Sequence, residues 1–75
     1  MQPSDAVLNA AVIVGNKSEL ARLIGVKPPT VQQWINGERP VPPRRAARIE
    51  EVTHGRVSRR DLCPGFPWGK PETAA

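Results

Sequence analysis

Between positions 27 and 36 the chain reads KPPTVQQWIN, a short run rich in side chains that can hydrogen-bond to base edges: Lys27, Thr30, Gln32 and Gln33, with Asn36 at its end. A glutamine amide donates and accepts at once and so matches the edge that adenine presents in the major groove. A lysine matches the two acceptors of guanine. Pro28 and Pro29 have no N–H to donate, and what they can offer a base is apolar contact with a thymine methyl. No comparable set points to catalysis. The chain has no paired nucleophile and base, no carboxylate dyad and no phosphate-binding glycine loop. Its one histidine, His54, and one cysteine, Cys63, fall short of a metal-ligand set. The residues therefore predict a binding protein without cofactor or metal, and not an enzyme.

Two elements are needed to present these side chains. The stretch KSELARLIGVKPPTVQQWING reads as two short amphipathic helices joined by a sharp turn. Leu20, Ala21, Leu23 and Ile24 are the apolar positions of the first helix. Gly25 follows, where a left-handed residue ends a helix without a Cβ penalty, and Val26 plugs inward across the turn. The second helix is expected to begin near Pro28, since amides of a first turn lack intrahelical acceptors in any case, and to stop at Asn36-Gly37. Val31, Trp34 and Ile35 lie at i, i+3 and i+4 on one face. Gln32, Gln33 and Asn36 fall opposite, with Thr30 at the edge. An apolar back and an amide front suit base reading in a major groove. The plain alternative is an αα-hairpin that only builds a core.

The same stretch, with ELARLIGV followed by PTVQQWING, resembles the helix-turn-helix of the lambda-repressor-like regulators of Cro and CI type. The wider frame from about residue 5 to 64 resembles the YdaS-like subgroup of prophage Cro and antitoxin-type repressors. The resemblance implies an all-α fold, a compact bundle of about five short helices around the central helix-turn-helix. It also implies a transcriptional repressor that binds double-stranded DNA, with the helix over about 28–36 in the major groove. Relatives bind pseudo-palindromic operators as two-fold dimers, so a weak homodimer is expected, formed on the DNA. Asn16 and Lys17 occupy positions where such regulators touch the DNA backbone. The chain departs from the family at Pro28 and Pro29, where many relatives present a polar side chain. Base reading is thereby displaced toward Lys27, Thr30, Gln32 and Gln33. The other reading the subgroup suggests is an antitoxin-type module that neutralises a toxin protein.

The remainder of the chain sets bounds on these readings. Its 75 residues make one domain at most. No run approaches the roughly 20 apolar residues of a membrane helix, and the N-terminus lacks a signal-type pattern. A lone cysteine suits a reducing compartment, so a cytoplasmic protein is expected. The net charge of +4 is unevenly spread. Lys17, Arg22 and Lys27 are balanced by Asp5, Glu19 and Glu38 in the first 38 residues, and the whole excess falls after Glu38. Arginine dominates there, and its planar fork suits phosphate. Arg39, Arg44 and Arg45 are the candidate phosphate contacts, together with Asn16, Lys17 and Asn36. Arg44 and Arg45 start a helix, where the dipole disfavours cations, a mismatch that an external anion would relieve.

Three further helices complete the expected bundle. The first runs from about Asp5 to Val14, capped by Ser4, burying Leu8, Ala11, Val12 and Val14. Another, from Arg44 to about Thr53, turns Ala46, Ile49 and Val52 inward. A short one from Arg59 to Leu62 is capped by Ser58. The DNA-binding domain is expected to end at residue 64. Residues 65–75, rich in Pro and Gly, are expected to form a flexible tail in which Phe66 and Trp68 stand out.

Overall fold

A computed structural model of the chain describes residues 2–68. The described residues form α1 (Pro3–Val14), α2 (Lys17–Ile24), α3 (Pro28–Ile35), α4 (Pro43–Val52) and α5 (Arg59–Leu62), with no strand among them. The all-α bundle of five short helices expected from the sequence is what the chain adopts. None of these helices is long and apolar enough to cross a membrane.

Local signals explain most of the helix ends. Asn16 caps α2, its Oδ1 accepting from the Glu19 amide at 2.8 Å. Gly25 closes that helix in the left-handed region, with φ 79°. At the end of α3, Asn36 stays right-handed and Gly37 alone takes the left-handed turn, with φ 77°. The Glu38 amide then reaches back to the Gln33 carbonyl at 2.9 Å, a helix-closing bond. Ser58 Oγ accepts from the Arg60 amide at 3.1 Å and starts α5. One start differs from expectation. α1 begins at Pro3 with Gln2 as its cap, not at Ser4, because proline presets the helical φ and has no N–H to satisfy at the first position.

The core draws on every helix. Leu20, Ala21 and Ile24 of α2 pack with Val31 and Trp34 of α3, Ala46 and Ile49 of α4 and Leu62 of α5, with Val41 and Val57 inserted from the connections. The face of α1 is a correction to the sequence reading. Ala6, Val7, Ala10 and Ala11 are its buried residues, whereas Leu8 is 42% exposed and Val12 71% exposed. The segment is apolar almost all round, so hydrophobic period alone does not choose a face. An alanine-lined face lets α1 lie close against α2, α3 and α5 at once, which larger side chains would prevent.

The end of α4 and the residues beyond α5 are tied in by polar bonds. Thr53 is fully buried, its hydroxyl donating to the Ile49 carbonyl at 2.9 Å and accepting from the Val57 amide at 3.3 Å. Residues 65–68 turn back on the bundle, where Trp68 Nε1 donates to the Cys63 carbonyl at 2.8 Å. Arg59 lies 5.3 Å above the Trp68 ring and is paired with Glu50 at 2.6 Å. Phe66 rests against Trp68 with ring centroids 4.5 Å apart. Residues 69–75 of the expected tail lie outside the described residues.

Candidate nucleic-acid interface

The outward face of α3 follows from which of its residues are committed to the core. With Val31 and Trp34 buried, the helical repeat turns Pro29 and Asn36, both exposed, directly away from the bundle, with the half-buried Gln33 beside them. Gln32 lies on the flank toward α2, and Thr30 on the opposite flank, where it lines a groove with Trp34, Arg39, Pro40 and Pro42. Lys27, Pro28 and Pro29, at the start of α3, are all exposed. Trp34 is 3% exposed and belongs to the core. The candidate base readers thus share one short helix, with Lys27 at its lip.

The candidate phosphate contacts divide into groups with different commitments. Arg39 and Arg44 are exposed, and among the described residues neither enters an ion pair. Arg45 is half-buried, and its Nη1 donates to the Ile24 carbonyl at 2.8 Å. Its guanidinium thereby holds the last turn of α2, a structural duty that spacing did not announce. Asn16 spends its carbonyl oxygen on the Glu19 amide and keeps its Nδ2 as a donor. The neighbouring Arg22 and Glu19 pair with each other on the surface. That hydrogen bond holds the Glu19 carboxyl below the usual range, against a smaller upward push from desolvation. A depressed acid stabilises only while ionised, so this contribution fades as pH falls through the lowered value.

Lys17 and Asn36 are joined by a chain of exposed side chains across the two helices. Lys17 Nζ donates to Gln32 Oε1 at 2.7 Å, and Gln32 Nε2 donates to Asn36 Oδ1 at 2.8 Å. Asn36 Nδ2 completes the run with a longer, 3.3 Å bond to Glu38 Oε2. Three of these residues were singled out from the sequence, but their connection was not, and Glu38 was missed. The i, i+4 spacing of Gln32 and Asn36 was the one available signal. The Lys17 bond depends on how α2 and α3 cross.

The family model described as bacterial toxin YdaS matches residues 7–71. A protein of Escherichia coli (strain K12) with the provisional name transcriptional regulator YdaS is 46% identical over 59 residues, covering 79% of this chain and 60% of its own length. The regulatory protein cro of Pseudomonas phage D3 is 39% identical over 54 residues, covering 72% of this chain and 74% of its own. No solved structure matches the chain. The alignment to the E. coli protein thus spans less than two thirds of that relative. Because the family model takes in nearly all of the helical bundle, from α1 through the turn at Trp68, the chain belongs to the YdaS family.

Proposed function

We propose that this chain is a sequence-specific, double-stranded DNA-binding transcription regulator of the Cro type, with α3 as the recognition helix in the major groove. The observation that carries the reading is the division of α3. Val31 and Trp34 anchor it in the core, while Gln32, Gln33 and Asn36 are left on the polar side. That arrangement suits a helix whose side chains reach base edges while its neighbours hold the backbone. The regulatory names of both relatives support it. In this role Gln33, central on the outer face, reads a base together with Thr30, Gln32 and Lys27, while Pro28 and Pro29 give apolar contact. Arg39 and Arg44 hold phosphates, with Asn16, Lys17 and Asn36 at the junction of the two helices. A weak homodimer on a pseudo-palindromic operator in the cytoplasm completes the proposal.

Selecting bound duplexes from a random DNA pool tests this directly. The expected result is an enriched palindrome, and Gln33→Ala should flatten the preference at one base pair of each half-site by about 1–3 kcal/mol. A pool that emerges unenriched, or a Gln33→Ala protein with every preference intact, counts against the reading. The description of the family as a toxin keeps a second reading in view, an antitoxin-type module that neutralises a toxin partner. Phe66 and Trp68 give it limited support as aromatic anchors, because Trp68 is partly buried against the core and Phe66 is the exposed one of the two. A stable complex with a second protein encoded beside this one, formed without DNA, would favour that reading.

A further inference from the structure

The hydrogen-bond chain over α2 and α3 has a direction. It starts at a cation, Lys17, and ends at an anion, Glu38, and every donor along it points toward Glu38. An isolated glutamine amide turns over freely and can read adenine with both its groups. Here reversal would set the Gln32 NH₂ against the Lys17 ammonium. It would also force Asn36 to turn its own carbonyl toward the Glu38 carboxylate. The charges at the two ends therefore decide which way the amides point, and bonds in series polarise one another in that sense.

We propose that Lys17 is a positioning residue for base recognition, clamping the Gln32 carbonyl so that Gln32 offers DNA a donor and selects guanine over adenine. The inference rests on the DNA-binding reading above and sharpens it. With one lone pair of Oε1 taken by the ammonium and the other held beside that cation, the donors offered at this point of the surface are the second N–H of Gln32 and the free N–H groups of Lys17. Guanine presents two acceptors in the major groove, N7 and O6, and meets such a pair. Adenine would bring its N6 amino group up against a cation and a donor. Pro28 and Pro29 place no hydrogen-bond donor in the preceding turn, so this pair carries more of the discrimination on its flank of α3.

The test is selection from a random duplex pool with the parent protein, Lys17→Met, Lys17→Arg and Gln32→Ala. The parent and Lys17→Arg, which keeps a donor at the clamp, should enrich guanine at one base pair per half-site. Lys17→Met frees the carbonyl and should move the guanine-to-adenine ratio there about tenfold toward adenine, a change of about 1.4 kcal/mol. Gln32→Ala should reduce the guanine preference to what the Lys17 ammonium gives alone, and on that background Lys17→Met should no longer move the base pair toward adenine. Lys17→Met that weakens all sequences alike and retains guanine would overturn the clamp and leave Lys17 a phosphate contact alone. Adenine enriched by the parent would overturn it too, and both results leave the DNA reading standing. No enriched sequence for the parent would remove the DNA reading and the clamp together.

Discussion

Arg45 and Ile24 join the fourth helix to the second, with the Arg45 guanidinium donating to the Ile24 backbone carbonyl at 2.8 Å. Arg45 begins its own helix, where the dipole repels a cation, yet it reaches the C-terminal end of α2, where the dipole attracts one. The bond meets a carbonyl with no partner inside the helix, just before the Gly25 turn. The orientation of the helix-turn-helix against α4 thus hangs partly on one side chain. Arg45→Ala should lower stability by about 1–2 kcal/mol, the range for a partly exposed bond from a charged donor. For a domain of this size that is a fall in Tm of roughly 4–8 °C per kcal/mol. If Arg45 works only through Ile24, the salt dependence of DNA binding by the variant should match the parent. An unchanged Tm with a shallower salt dependence would return Arg45 to the phosphate contacts.

Arg44, the exposed neighbour, should behave in the opposite way. Each phosphate neutralised contributes about −0.9 to the slope of log affinity against log salt. Arg44→Ala should weaken binding to all duplexes similarly and make that slope shallower by about one, while Tm stays within the roughly 0.5 kcal/mol expected of surface changes. Titration at several salt concentrations measures both affinity and slope. An unaltered slope would remove Arg44 from the interface.

Trp34 is 3% exposed, at the centre of the packing between α3 and the rest of the bundle. Trp34→Ala should cost about 3–5 kcal/mol, a large share of what a small domain holds. Chemical denaturation of the variant gives the number. A Trp34→Ala protein that unfolds like the parent but fails to bind DNA would instead put the indole in the groove.

The two faces of α1 can be told apart by paired substitutions. Val7 is fully buried and Val12 is 71% exposed. Val7→Ala should cost about 2 kcal/mol for the lost methyl groups and the cavity they leave. Val12→Ser should stay within about 0.5 kcal/mol of the parent. Equal losses at the two positions would mean that the face of α1 is assigned wrongly.

What the sequence determined by itself lies within single turns of chain. Gly25 ends α2, Val31 and Trp34 face inward at helical spacing, and Ser58 starts α5. Each of these follows from a few consecutive residues, through φ preference, the 3.6-residue repeat or a local cap, so the five helices and the polar front of α3 were legible in advance. Which side of α1 is buried was not, because Val7, Leu8, Ala11 and Val12 are all apolar and only the fit against three other helices separates them. The tertiary structure also decided that Trp68 returns to the Cys63 carbonyl, where the composition of that segment suggested a loose tail. It decided the polar contacts between helices as well. Lys17 meets Gln32 across 15 positions and Arg45 meets Ile24 across 21. Separations of that size carry no local signal. A long cationic side chain takes whichever acceptor the helix crossing brings within about 3 Å, and that crossing is set by the packed core of alanine, valine, leucine and tryptophan beneath it.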